Sequence, residues 1–222
     1  MISIIIPSYN QQEYLADAIE SALSQTVTSE IIVIDDGSTD NSMEIAQSYE
    51  KYGVKVIQQV NKGLASARNT GIMNAKGNWI LPLDADDILL DNAVSMIAEG
   101  LRKSHDADII APSFKEFGVR QTDIVLMENP TIEDFKTGNR IGYFSAIRKS
   151  KLLEVGGYSP KMVHGYEDLH LWINLLFRGA KLVTLKDKLV LYRTKEHSMI
   201  HDSIKHHDEL MAQIYKDFPN FI

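Results

Sequence analysis

Trp79-Ile80-Leu81-Pro82-Leu83-Asp84-Ala85-Asp86-Asp87 (WILPLDADD) joins five mostly apolar residues directly to three aspartates within four positions. The apolar half reads as the end of a buried strand. The acidic half repels itself and is costly to bury without partners. A hard divalent cation with oxygen ligands is one remedy. On that reading Asp84-Ala85-Asp86 holds the ion and, through it, the diphosphate of a nucleotide. A solvated acidic turn capping the next helix accounts for the same residues.

Upstream the pattern recurs. Residues 2–6 form a β-branched run that stops at the turn-like Pro7-Ser8-Tyr9-Asn10, residues 31–34 run into Asp35-Asp36-Gly37-Ser38, and residues 54–57 precede Asn61-Lys62-Gly63. Between them Tyr14, Leu15, Ala18, Ile19, Ala22 and Leu23 recur at helical spacing, and Met43, Ile45 and Ala46 lie on a helix capped by Ser38 or Asp40. A third helix covers about 64–75 and closes at Lys76-Gly77-Asn78. This β-α-β-α-β-α-β order, with short connections, predicts an α/β fold: a mostly parallel sheet with helices on both faces. Ligands bind such sheets at the carboxyl ends of the strands, where all four polar clusters lie.

Downstream the pattern weakens. Val94, Ile97, Ala98 and Leu101 mark a helix, 108–111 a fifth strand, 124–127 one strand of a small hairpin, 131–135 a short helix and 143–148 a strand. Gly156-Gly157-Tyr158 turns into a loop ending at Gly165. Tyr166-Glu167-Asp168 then opens a helix whose apolar stripe is Leu169, Trp172, Ile173, Leu176 and Phe177. Residues 182–185 and 189–192 read as two short strands. The tail, about 203–218, reads as one amphipathic helix with Met211, Ile214, Tyr215 and Phe218 on a face suited to packing, to a homodimer or to peripheral membrane contact.

The 222 residues, 44% hydrophobic and 24% charged, suit a soluble globular protein with a real core. A net charge of -7 argues against a nucleic-acid binder. The chain has no cysteine, hence neither disulfides nor thiolate metal sites. The first six residues lack Lys and Arg and are too short for a signal-peptide core, so a cytoplasmic protein is expected.

The commoner nucleotide signatures are missing: no GxGxxG follows the first strand, no GxxxxGK[ST] occurs, and the aspartate cluster lacks the glycine and glutamate of an EF-hand. A carboxylate of Asp35-Asp36 at a strand end can accept from a base N–H or a ribose hydroxyl; helix capping would need only one. Tyr9 can stack on a base or simply pack at a loop. Lys62 and Arg68 flank a helix start that favours anions and could neutralise a nucleotide, yet Arg68 could equally pair with Asp35, Asp36 or Asp84. Glu167 and Asp168 are ordinary first-turn acids, or a general base on a pocket rim. His197 could complete a metal shell or be solvated.

IIIPSYN (4–10), IDDGST (34–39), NKGLASARN (61–69), LDADD (83–87) and GYEDLHLW (165–172) occur in an order and rough spacing that resemble the family-two nucleotide-sugar glycosyltransferases of GT-A fold, over roughly residues 2–200. The resemblance implies an inverting transfer from a UDP-sugar to the hydroxyl of a saccharide, lipid-linked or protein-linked acceptor, in bacterial polysaccharide, lipopolysaccharide or glycoconjugate synthesis. Pro7, Tyr9, Asn10, Asp35, Asp36, Lys62, Gly63 and Arg68 would bind the nucleotide sugar. Asp84-Ala85-Asp86 resembles the DxD motif, with Asp84 toward ribose or sugar and Asp86, with His197, on Mn²⁺ or Mg²⁺. Asp168 matches the catalytic base, with Tyr166, Glu167 and Trp172 on the acceptor side. A catalytic domain over 1–200 would divide into a nucleotide half, about 1–110, and an acceptor half, about 111–200, ahead of a helical extension, 201–222. The alternatives are a sugar-phosphate nucleotidyltransferase, which would carry a basic glycine-rich loop after the first strand, and a non-catalytic nucleotide- or carbohydrate-binding subunit.

Overall fold

In the computed structural model, which describes residues 1–196 and 199–221, strand β1 (Ile2–Ser8) is buried along its whole length. It pairs in parallel with β2 (Glu30–Asp35) on one side and with β4 (Trp79–Pro82) on the other, and β3 (Lys55–Gln58) extends the parallel sheet beyond β2. Past β4 the direction reverses at β8 (Ala146–Arg148) and is restored at β6 (Ile109–Gly118) and β9 (Leu182–Thr194). The short β5 (Ile88–Leu89) runs against β9, and β7 (Asp123–Ile124) against β6. The described residues thus form one nine-stranded, mostly parallel sheet in the order β3-β2-β1-β4-β8-β6-β9-β5, with β7 beside β6.

Side-chain alternation along β1 builds two cores. Ile4 and Ile6 join Val33 and the buried faces of α1 (Leu15–Leu23), α2 (Ser42–Ser48) and α4 (Ala93–Lys103). Ile5 joins Ile32, Ile34 and residues of α3 (Leu64–Asn74), α5 (Lys149–Glu154), α6 (Glu167–Phe177) and α8 (His207–Asp217). Helices therefore cover both faces, as expected.

Four local expectations change. β1 continues through Pro7 to Ser8. Ile5 and Pro7 point to the β4 side, and β4 ends at Pro82, so the missing N–H of Pro7 costs no ladder bond there. The two strands expected at 182–185 and 189–192 are one strand, β9, because the polar Lys186-Asp187 step is absorbed as a register shift against Pro112 and Ser113. α5 was not expected from periodicity. The single tail helix is two, α7 (Met199–Lys205) and α8, with a break at His206. The apolar face of α8 packs inward: Ile214 is fully buried, Met211 and Phe218 pack on the same core, and Tyr215 stays exposed. Among the described residues no helix is long and apolar enough to cross a membrane.

α3 lies tightly against β1 at Gly71, where a Cβ would come within 2.3 Å of Ile5 Cγ2. Gly71→Ala should therefore destabilise the fold by about 1–2 kcal/mol despite its better helix propensity, since overpacking outweighs a gain of about 1 kcal/mol. Urea denaturation checks this; a more stable variant would show that α3 can move away from the sheet.

Candidate active site

The carboxyl ends of β1, β2 and β4 open onto one edge, and the chain between β4 and β5 is held there by its own aspartates. Asp87 is buried; its carboxylate accepts from the Tyr143 hydroxyl and, at 2.6 Å, from the Arg193 N–H. Burial, then the neighbouring Asp86 charge, push its carboxyl well above the usual range. Asp87 thus ties the loop to the end of β9. The Tyr143 hydroxyl also accepts the Asp84 N–H at 3.0 Å, so one phenol positions both ends of the turn.

Arg68 lies beneath this turn. NKGLASARN starts α3, and Arg68 projects from the buried side of that helix, only 1% exposed. A buried guanidinium demands partners. One nitrogen, Nη2, donates to Asp84 Oδ1 at 2.7 Å and the other, Nη1, to Glu167 Oε1 at 2.6 Å, while its carbon lies 4.9 Å and 5.1 Å from the ring centroids of Tyr143 and Tyr158. Burial pushes the Asp84 carboxyl up to about 6, against the opposing pull of Arg68. Through this bridge the β4 turn and the start of α6 become one site.

Asp168 follows Glu167, and its carboxylate is held by other partners than Arg68. Its Oδ1 accepts the Leu169 N–H at 2.7 Å and its Oδ2 the Asn139 side-chain amide at 2.7 Å. Burial, then the Glu167 charge, raise its carboxyl to about 7. That value suits a base working near neutrality. Tyr166, in the left-handed region at φ 58, sets the entry angle of α6, and its hydroxyl lies 3.0 Å from His207 Nδ1.

Asp86 is half-exposed; its Oδ2 lies 2.7 Å from Lys195 Nζ and its carbonyl accepts from Arg193 Nε at 2.8 Å. Asp84 and Asp86 each give one oxygen to a cation, and neither second oxygen has a partner among the described residues. One residue past β2, Asp36 accepts from Gln59 Nε2 (2.6 Å), Lys62 N (3.0 Å) and Gly63 N (2.8 Å), so it fastens the loop that enters α3. Asp35 is fully buried; its Oδ2 takes long bonds from Ser38 N and Gln58, and its Oδ1 has no partner among the described residues. Ser8 Oγ, its register neighbour on β1, is equally unpartnered. Orphaned buried oxygens are rare and mark this edge as unfinished without a ligand. Tyr9 and Lys62 are exposed beside it, and Asn10, at φ 53, accepts Thr39 N at 2.8 Å.

Several sequence expectations are corrected by this geometry. Of the two roles open to Arg68, the structure shows the pairing with Asp84, extended to Glu167, in which its guanidinium is a buried strut between two carboxylates. Glu167 is spent on that ion pair and does not face an acceptor. Trp172 is fully buried among α6 and its neighbours, because the apolar stripe it belongs to is core. The Ala85 side chain points into the first core, leaving only its backbone near the site. Pro7 is buried within β1. His197 lies outside the described residues. Sequence reasoning missed Asn139, Tyr143, Arg193 and Lys195. Asn139 and Tyr143 sit in the weakly patterned middle of the chain, whereas the basic Arg193 and Lys195, next to the end of a predicted strand, were a readable signal. His206, which showed no ligand spacing along the chain, meets His164 and Glu209 through space.

The family model described as "Glycosyl transferase family 2" matches residues 3–164. Glycosyltransferase GlyG of Streptococcus pneumoniae serotype 4 is 30% identical over 223 residues, covering 90% of this chain and 73% of GlyG. S. aureus TarS in complex with UDP-GlcNAc superposes with a TM-score of 0.84 at 20% identity, over 99% of this chain and 66% of TarS. The mannosyltransferase PcManGT from Pyrobaculum calidifontis in complex with GDP-Man and Mn²⁺ superposes with a TM-score of 0.74 at 15% identity, over 97% of this chain and 63% of that one. The chain thus spans a little under two thirds of both solved structures, whose likeness concerns the fold.

Arg68→Met should lower stability by about 3–5 kcal/mol at pH 8, because it leaves buried carboxylates without their cation. The loss should shrink toward pH 5, as the unpaired Asp84, already raised to about 6, takes up a proton. Urea denaturation at both pH values measures it; a loss below about 1 kcal/mol would remove the bridge from its central place.

Proposed function

Because the chain belongs to glycosyl transferase family 2, and is a glycosyltransferase of GT-A fold, we propose that it moves a sugar, with inversion, from a nucleotide-sugar donor to an acceptor hydroxyl, using Asp168 as the base. The observation that carries this reading is the Arg68 bridge, which holds the donor-side Asp84 and the α6 entry bearing Asp168 in one rigid unit. A UDP-sugar is the favoured donor: TarS is seen with UDP-GlcNAc, and the orphaned oxygens of Asp35 and Ser8 await hydrogen-bond donors where a base or ribose would lie.

A divalent ion fits the donor set. Asp84 and Asp86 offer hard oxygens at the open end of the cluster, the kind that Mn²⁺ and Mg²⁺ take, and PcManGT is seen with Mn²⁺. When bound, such an ion supplies charge neutralisation for the departing nucleoside diphosphate. The chain's own residues do the rest. The Asn139 amide and the Leu169 N–H hold the Asp168 carboxylate in place. Asp168 takes the proton of the acceptor hydroxyl as its oxygen bonds to the anomeric carbon, and the bond from that carbon to the diphosphate breaks with its electron pair. Glu167, the adjacent carboxylate, is locked on Arg68 and unavailable as a nucleophile, which favours one displacement and hence inversion. The acceptor, a saccharide or a lipid- or protein-linked sugar of a bacterial glycoconjugate pathway, would approach from the half about 111–200.

Release of nucleoside diphosphate from a panel of nucleotide sugars, with and without Mn²⁺, tests the reading. Asp168→Asn should reduce transfer by about 10²-fold or more while the protein stays folded. Its carboxyl is raised from the ordinary 3.8 to about 7, so its contribution to stability falls as pH rises from about 4 to about 7. The asparagine variant should therefore be at least as stable as the parent at pH 8, as thermal melts will show. Wild-type kcat/KM should fall as pH drops below about 7, where the base becomes protonated. Near-normal transfer by the variant would sink the assignment.

A further inference from the structure

The two aspartates facing the donor side are neutralised by two very different cations. Arg68 is fixed: 1% exposed, held by Asp84 and Glu167, and flanked by Tyr143 and Tyr158. Arg193 is fixed too, with Nε on the Asp86 carbonyl, Nη2 3.5 Å from Asp17, and its guanidinium over the Tyr14 and Phe117 rings. Lys195 is not. It lies one residue past the end of β9, its side chain is 24% exposed, and among the described residues its ammonium meets Asp86 Oδ2, at 2.7 Å, and the face of Tyr14, 4.3 Å from the ring centroid. An ammonium on a flexible four-carbon stem is a mobile point charge, unlike a guanidinium fork.

A divalent ion on Asp86 would sit about 2.0–2.2 Å from a carboxylate oxygen. The present ammonium shares that carboxylate, so the two cations would lie within a few ångströms of each other, where repulsion is strong even in a half-exposed site. The ammonium and the metal therefore compete for Asp86. The nearest new partner is the diphosphate that arrives with the metal.

We propose that Lys195 is an exchangeable counter-cation. It neutralises Asp86 while the donor site is empty and transfers to the oxygens of the nucleoside diphosphate when metal and donor bind together. The proposal rests on the metal reading of Asp86 given above. Its consequence is a coupling: metal alone must displace Lys195 from its partner, whereas metal with nucleotide offers Lys195 a replacement. Each should therefore tighten the other by the same factor. Lys195 is a positioning residue in this scheme, not a catalytic one.

Mn²⁺ binding to the full chain, followed by EPR with and without UDP, tests this without a turnover assay. Lys195→Met should bind Mn²⁺ alone about 10-fold more tightly than wild type, because nothing competes for Asp86. It should bind UDP more weakly at saturating Mn²⁺, and the factor by which UDP tightens Mn²⁺ should shrink. Lys195→Gln, which keeps a polar tip without the charge, should behave like Lys195→Met, and Lys195→Arg should restore most of the coupling. Thermal melts confirm that each variant is folded. Equal Mn²⁺ affinity and equal coupling in wild type and both neutral variants would overturn the role of Lys195 while leaving the metal reading intact. Mn²⁺ binding that is absent from wild type with and without UDP, or unchanged by Asp86→Asn, would overturn the metal reading itself and this proposal with it.

Discussion

A buried arginine cannot be tolerated without anions, and Arg68 has found two that are far apart along the chain. Asp84 comes from the turn after β4 and Glu167 from the first turn of α6. The guanidinium is therefore at once a folding constraint and the hinge pin of the site. It brings the aspartates of the β4 turn and the start of α6, with Asp168, to a common point, and its own charge is paired in doing so. Tyr143 repeats the device with a neutral group, its hydroxyl joining the Asp84 amide to Asp87.

The cost of this construction appears in the carboxylates. Asp84, Asp87 and Asp168 are all raised by burial, and neighbouring carboxylates add to the shift, while Arg68 opposes it at Asp84 and Asp168. A folded state that resists ionising its own acids gives up stability at neutral pH, the usual compromise of an active site. The chain limits the cost by giving almost every carboxylate at this edge an assigned partner: an arginine, a backbone N–H, a phenol or an amide. Asp86 is the exception in kind. Its partner is a mobile lysine, and Asp86 is the residue whose motif resembles a metal ligand.

Much of the architecture was legible in the chain. The β-branched runs at β1 and β2, and the apolar stripes of α1 and α6, are local patterns with periods of two and 3.6, and these specify strand, helix and buried face without reference to distant residues. The parallel order of β1 to β4 then followed from short β-α connections. The reading failed where local signals conflict or vanish. The polar Lys186-Asp187 step looked like a break because a bulge inside a long strand has the composition of a turn. Glu167 and Arg68 each kept two readings, because an acid or a cation near a helix start looks the same whether it faces solvent or another charge.

The sequence by itself determined a mostly parallel sheet, its two covered faces and the edge at which four polar clusters gather, and the order of five motifs pointed to family-two glycosyl transfer. Only the tertiary structure decided which charges are spent and which remain for chemistry. Arg68 and Glu167 are 99 residues apart, and no periodicity reports a contact of that range. Pairing depends on how closely α3 and α6 pack on the same sheet face, and in a low-dielectric interior that packing decides which chargeable side chains are tied to a partner and which have their ionisation shifted.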